Sequence, residues 1–147
     1  MGIINYLLIA VVAALGLVLG RVLAWMAKEE IKPGKKYFLI LQKALFCLAI
    51  VLLMYFNRTN IHYTWIGALI IFVYLSWFKK IPSYSISVVL GFGVYLASLT
   101  DNFLLISAVI FLHGFPAGSL IKSKKEMALN IAVFLAVAIG LFLVIGL

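Results

Sequence analysis

The stretch Thr100–Ser119, TDNFLLISAVIFLHGFPAGS, combines the features on which our interpretation of the whole chain depends. It begins with Asp101, the one acidic residue that stands apart from the lysine-rich connections, and continues into a long apolar run. His113 and Pro116 interrupt that run. Because about 20 apolar residues are enough to cross ~30 Å of hydrocarbon, the stretch predicts a membrane-spanning helix that carries polar groups towards the middle of the bilayer.

The chain as a whole is too apolar for a soluble domain. Of its 147 residues 67% are hydrophobic and only 11% are charged, whereas soluble domains have ~45–50% and ~25%. A single small core cannot bury that much apolar surface, so lipid is the expected solvent. No linker divides the chain, and we therefore expect one transmembrane domain over residues 1–147.

Six apolar segments joined by short connections are predicted to cross the membrane as helices. They are Ile3–Met26, Tyr37–Phe56, Ile61–Phe78, Pro82–Leu99, Asn102–Ile121 and Met127–Leu147. The expected fold is an all-α polytopic bundle. The first run is predicted as a span rather than a cleavable signal, because it is long and no basic segment precedes it. The alternative is five spans, with residues 102–121 as a re-entrant segment.

The lysines predict the orientation of the bundle. Nine of the twelve basic residues lie in the first, third and fifth connections, whereas Arg58 is the one basic residue in the second and fourth. The positive-inside rule places the lysine-rich connections in the cytoplasm and both termini outside. The same lysines are expected to contact anionic lipid headgroups. Lys32-Pro33-Gly34-Lys35 predicts a tight turn in the first connection.

Small residues recur at every fourth position in three of the predicted spans. They are Gly16, Gly20 and Ala24; Ser83, Ser87 and Gly91; and Ala132, Ala136 and Gly140. This spacing lets helix backbones approach each other closely, either within the chain or in a homodimer. Residues 38–46 also resemble residues 103–111, which suggests an inverted repeat of three spans each, residues 1–79 and 80–147.

Asp101, Asn102, His113 and Pro116 are candidates for a transport path. His113 lies about 16 Å along the helix from Asn102, near the bilayer midplane, and Pro116 cannot donate to the carbonyl of Leu112. A titratable group beside a broken helix is typical of ion or proton paths. The alternatives are a neutral His113 bonded to a neighbouring helix and an Asp101 that only caps the helix N-terminus.

Arg21, Gln42 and Lys43 are candidates for binding an anion or a lipid headgroup. Arg21 and Lys43 are each expected about 10 Å inside the cytoplasmic boundary of their helices. Their side chains can extend to the headgroups, or they can form a cationic pocket for a phosphate or carboxylate.

The chain has no motif for catalysis, cofactor binding or metal coordination. It lacks the glycine-rich, His-Glu-x-x-His and Gly-x-Ser-x-Gly patterns, and Cys47 with two histidines makes no metal site. No basic patch predicts nucleic-acid binding. The favoured function is a transporter or channel for a small ion or solute. The alternatives are a non-catalytic subunit or scaffold of a membrane complex, or an enzyme acting on a lipid-borne anionic substrate. The expected location is the plasma membrane or a cell inner membrane.

Overall fold

The computed structural model describes residues 2–57 and 83–145, with only the backbone described at residues 28 and 30–32. All regular secondary structure in these ranges is helical, which confirms the prediction of an all-α protein. The five helices described are α1 (Ile3–Met26), α2 (Lys28–Phe56), α3 (Ser83–Ser98), α4 (Phe103–Leu120) and α5 (Lys124–Ile145).

Four segments of these helices are long and apolar enough to cross a membrane. They are Ile3–Met26, Pro33–Phe56, Phe103–Leu120 and Lys124–Ile145. The helix α3 is apolar but has only 16 residues, a length of about 24 Å. The predicted span Ile61–Phe78 lies outside the described residues. The count of six spans, the outer position of the termini and the repeat of residues 1–79 in 80–147 therefore stay predictions.

The predicted turn at Lys32-Pro33-Gly34-Lys35 is wrong, because α2 begins at Lys28 and includes Pro33. The chain turns instead at Ala27, the single residue between α1 and α2. A proline this close to the start of a helix forfeits one backbone hydrogen bond, to residue 29, and its fixed φ suits a helix. The basic segment before Tyr37 is thus a helical extension of the span and not a loop.

The helix α4 lies at the centre of the bundle. In its apolar window 61% of the residues are buried, against 28% in α1 and 17% in α5. It packs most extensively on α1 and next on α2, while α3 pairs mainly with α5. The helix continues through Pro116 without a break or a re-entrant turn. Neighbouring helices can support a buried proline in this way.

Glycines bring the backbones of α1 and α4 into direct contact. A Cβ atom added to Gly114 would lie 2.5 Å from the carbonyl carbon of Gly16, and one added to Gly20 would lie 2.8 Å from the carbonyl oxygen of Gly114. A Cβ at Gly118 would lie 3.1 Å from the backbone nitrogen of Arg21. The order of these contacts shows that α1 and α4 run in the same direction.

The two ends of the bundle differ in character. At the aromatic end, the ring of Tyr6 stacks on Phe103 and Phe142, at centroid distances of 5.8 and 4.1 Å. The buried Tyr6 hydroxyl donates to the carbonyl oxygen of Ala138 at 2.8 Å. At the opposite end α4 is followed by exposed Lys122, Lys124 and Lys125; we call this the lysine-rich end. The helix α2 runs towards the aromatic end, and α3 begins at the lysine-rich end.

The helix α5 buries a different face from the one that its small residues indicate. Asn130, Phe134 and Ala138 are buried, whereas Ala132 and Ala136 are exposed. A Cβ at Gly140 would meet no described atom within 4 Å. The helix turns Asn130 inward because its hydrogen-bond partners, Ser83 and Ser87, lie on α3. On α3 the small residues do face α5, since a Cβ at Gly91 would lie 2.7 Å from the carbonyl oxygen of Phe134.

Candidate functional site

Polar side chains from four helices converge on one internal cavity. Its volume is about 40 Å³, which is room for roughly two or three water molecules. The helix α1 contributes only apolar groups, Ala13, Ala14 and Leu17. The polar lining residues are Gln42 of α2, Ser83 and Ser87 of α3, His113 of α4 and Asn130 of α5.

His113 is the one titratable side chain among the residues that line this cavity. The residue is only 3% exposed, and its ring lies 6.0 Å from the ring of Phe46. Its Nε2 atom has no hydrogen-bond partner among the described residues. Buried polar atoms are nearly always hydrogen-bonded, so a nitrogen without a partner is an exception in this bundle.

A hydrogen-bonded network joins the cavity to the lysine-rich end. Ser87 Oγ donates to Asn130 Oδ1 at 3.2 Å, and Asn130 Nδ2 donates to Ser83 Oγ at 3.1 Å. Ser83 Oγ in turn donates to Glu126 Oε1 at 2.9 Å. The carboxylate of Glu126 is partly buried at the start of α5. The network therefore leads from a surface carboxylate to two cavity-lining hydroxyls.

The first turn of α5 holds Glu126 in place. Ser123 Oγ accepts from the backbone N–H of Glu126 at 3.1 Å, and Glu126 Oε2 accepts from the backbone N–H of Lys122 at 3.4 Å. This arrangement follows the Ser-x-x-Glu pattern of a capping box, with the carboxylate at the positive end of the helix dipole. The motif, Ser123-Lys124-Lys125-Glu126, and the lone amide of Asn130 in an apolar run were both visible in the sequence, and our sequence analysis missed them.

Asp101 is not the cap of α4, contrary to one of the two predicted roles. The N-cap residue is Asn102, and its side chain makes no capping hydrogen bond. The backbone N–H and hydroxyl of Thr100 both bond to the carbonyl oxygen of Ala97, at 3.0 and 2.8 Å. These bonds hold Thr100 at the end of α3. Asp101 therefore lies one position before the N-cap residue of α4, and it is exposed.

Asp101 and Asn102 are also separate from the cavity. Between Asp101 and His113, a distance of about 18 Å along the helix, α4 buries Phe103, Ile106 and Ile110. Ser107 is buried in the same stretch, and its Oγ has no partner among the described residues. Pro116 is buried one turn beyond His113 and does not line the cavity. Of the four predicted path residues, only His113 reaches it.

Arg21, Gln42 and Lys43 do not form one pocket. The guanidinium group of Arg21 donates to the carbonyl oxygen of Ile121 and, at 3.2 Å, to that of Lys122. Gln42 lines the cavity, and Lys43 is half-buried on α2. The two cations therefore have different surroundings. Arg21 is bonded at the end of α4.

Comparisons with family models, curated proteins and solved structures found no match to the chain. Within residues 2–57 and 83–145, no group of three or more His, Cys, Asp or Glu side chains is placed to hold a metal ion. The cavity and its hydrogen-bonded network are therefore the features of the molecule that bear on its function.

Proposed function

We propose that this chain is a small multi-spanning membrane transporter or channel, and that a small ion or solute passes through the cavity beside His113. The observation that carries the proposal is the convergence of five polar side chains on one cavity inside an apolar bundle. Polar groups inside a membrane protein are costly and typically mark substrate or ion pathways. The volume of about 40 Å³ favours a species no larger than a few water molecules.

The other two functions have less support. A lipid-modifying enzyme was suggested by a pocket of Arg21 and Lys43, but Arg21 is bonded to backbone carbonyls. If the chain were a purely structural subunit, a buried His113 nitrogen without a hydrogen-bond partner would have no explanation.

The proposal includes a location and partners. The chain would lie in a plasma or cell inner membrane, with the lysine-rich end in the cytoplasm. Exposed Lys122, Lys124 and Lys125 would contact anionic headgroups there. A homodimer or further membrane subunits are compatible with the apolar outer faces of the helices.

Flux through reconstituted vesicles tests the proposal. We would measure the uptake of protons, alkali cations, ammonium and small neutral solutes by the wild-type protein, His113→Leu and Asn130→Leu. The control is Ser98→Ala, because Ser98 lies off the cavity and bonds to the carbonyl oxygen of Tyr95 in its own helix.

We expect at least one species to cross, and both cavity variants to lower its flux by about tenfold or more, the equivalent of ~1.4 kcal/mol in the barrier. Ser98→Ala should transport like the wild type. Elution of each variant as a single peak in detergent shows that it is folded. No flux of any tested species, or equal flux in folded cavity variants, would overturn the proposal.

A further inference from the structure

We infer that the transported species is the proton and that Glu126, at the lysine-rich end, exchanges it between bulk water and the cavity at His113. This inference rests on the proposed function and deepens it. It reverses the sequence-based expectation that Asp101 is the entry carboxylate.

The cavity suits water and protons better than metal cations. Among its fifteen lining residues, His113 is the one titratable side chain, and no carboxylate faces the interior. Hard cations such as Mg²⁺ and Ca²⁺ are bound mainly by carboxylate and carbonyl oxygens. A proton needs only water molecules and a base, and the cavity has room for the first and supplies the second in His113.

Glu126 is the carboxylate that reaches this cavity. Its Oε1 atom accepts the hydrogen bond from Ser83, a lining residue, at 2.9 Å. Asp101 lies beyond the buried rings and aliphatic side chains of the aromatic end. The hydrogen-bonded network among the described residues thus starts at Glu126 and ends at the cavity that His113 also lines.

The transfer balances without a co-reactant. A hydronium ion in bulk water gives its proton to the Glu126 carboxylate and leaves as water. The carboxylic acid passes the proton to the hydroxyl oxygen of Ser83, which releases its own proton to a cavity water. The resulting hydronium ion protonates the imidazole of His113, which becomes an imidazolium ion. Glu126 is then a carboxylate again. The amide of Asn130 does not relay protons; it positions the hydroxyls of Ser83 and Ser87 along the water-filled part of the route.

The groups around His113 are uncharged, whereas Glu126 lies at the lysine-rich end with exposed Lys122, Lys124 and Lys125. His113 shares the cavity with Leu17 of α1, Gln42 of α2, the serines of α3 and Asn130 of α5, and its ring lies near that of Phe46. None of these residues carries a charge. Near Glu126, the backbone N–H of Lys122 donates to the carboxylate, and the guanidinium of Arg21 lies on the carbonyls of Ile121 and Lys122.

The experiment measures proton flux into vesicles with a pH-sensitive dye inside and the membrane potential clamped. Glu126→Gln keeps an oxygen that can accept from Ser83 but cannot take up a proton. We expect this variant to lower proton flux by about tenfold or more, within the range typical of lost acid–base groups, and Glu126→Asp to recover part of it. Glu29→Gln, at an exposed glutamate of α2, is the matched control and should transport normally.

The outcomes separate the two proposals. Flux of another ion or solute without proton flux would overturn this inference and leave the proposed function standing. Absence of every flux would overturn both. Proton flux that survives in Glu126→Gln, or that Asp101→Asn abolishes, would overturn the entry route. If Glu126→Gln does not fold, Ser83→Ala breaks the same connection and should lower proton flux likewise; unchanged flux would count against the route.

A second readout does not depend on flux. The chain has two histidines, His62 and His113, so a His113→Gln sample assigns the ¹⁵N signals of the imidazole in lipid. The N–H of His113 should exchange with solvent more slowly in Glu126→Gln than in the wild type. Equal exchange rates would contradict the role of Glu126, because a merely structural role does not change access of protons to the cavity.

Discussion

Arg21 donates to the carbonyl oxygens of Ile121 and Lys122, at the point where α4 ends. Both residues follow Leu120, the last residue of α4, so their carbonyls have no N–H partner in that helix and need another donor. A cation also interacts favourably with the negative end of the helix dipole. The long side chain thus reaches from one helix to the end of another and stabilises the connection between α4 and α5.

Replacement of Arg21 should therefore lower stability. We expect Arg21→Met to reduce the free energy of unfolding by about 1–3 kcal/mol, because two carbonyl groups lose their charged partner. Lys43→Met is the matched control, since Lys43 is also a half-buried cation and makes no hydrogen bond to another described residue. Unfolding in mixed micelles by increasing amounts of a denaturing detergent measures both. Equal losses for the two variants would contradict the capping role.

For single residues, the sequence predicted which polar side chains line the cavity better than it predicted the hydrogen-bond partners of the polar side chains. His113 and Gln42 were named, and both line the cavity. The surroundings of Arg21 depend on a carbonyl a hundred positions away, which no local pattern reports. Glu126 was set aside because it stands among lysines, although its capping-box spacing was a local signal.

At the scale of elements, the contact between α1 and α4 depends on glycines. Gly16 and Gly20 face the backbone of α4, and Gly114 and Gly118 face that of α1. In a membrane, helices gain little from hydrophobicity when they associate, so close backbone packing supplies much of the attraction. This contact also positions His113, which directly precedes Gly114.

A methyl group at this contact should be costly. In Gly20→Ala the new Cβ would lie 2.8 Å from the carbonyl oxygen of Gly114, and a backbone atom cannot move aside as the tip of a side chain can. We expect a loss of about 1–3 kcal/mol in the free energy of unfolding. Gly140→Ala adds the same methyl group where no described atom lies within 4 Å. It should cost nothing and can gain up to ~1 kcal/mol from helix propensity. Thermal unfolding in detergent compares the two, and a larger loss for Gly140→Ala would refute this account.

Helix positions were predictable from apolar length, but helix pairing was not. The segments Ile3–Met26 and Phe103–Leu120 match their predicted limits within one residue. The predicted start of α2 is wrong because Pro33-Gly34 suggests a turn, whereas α2 includes Pro33 as its sixth residue at the cost of one backbone hydrogen bond. The partner of each helix could not be read from the sequence, since lipid-exposed and buried faces are equally apolar. Gly114 and Gly118, four positions apart with Pro116 between them, are not among the predicted packing residues.

At the scale of the whole molecule, the two ends have different chemistry. Stacked rings and aliphatic side chains close the aromatic end. The lysine-rich end carries Arg21, the loop after α4 and the network that begins at Glu126. The cavity is thus joined by polar groups to one end of the described bundle only. The proton path proposed above would therefore be asymmetric, and the orientation of the chain in the membrane would decide which side Glu126 faces.

The distribution of the lysines predicts the orientation of the chain in the membrane, and thiol labelling can test that prediction. The background is Cys47→Ala, which removes the single native thiol. In this background, Asp101→Cys places one exposed thiol just before α4, and Lys124→Cys places one just after it. The positive-inside rule puts residue 124 in the cytoplasm and residue 101 outside. A charged maleimide that cannot cross the membrane should label Asp101→Cys in intact cells, and Lys124→Cys only after the cells are permeabilised. Labelling of both thiols in intact cells would refute a single crossing of α4. The reverse pattern would invert the orientation and place the Glu126 entrance outside.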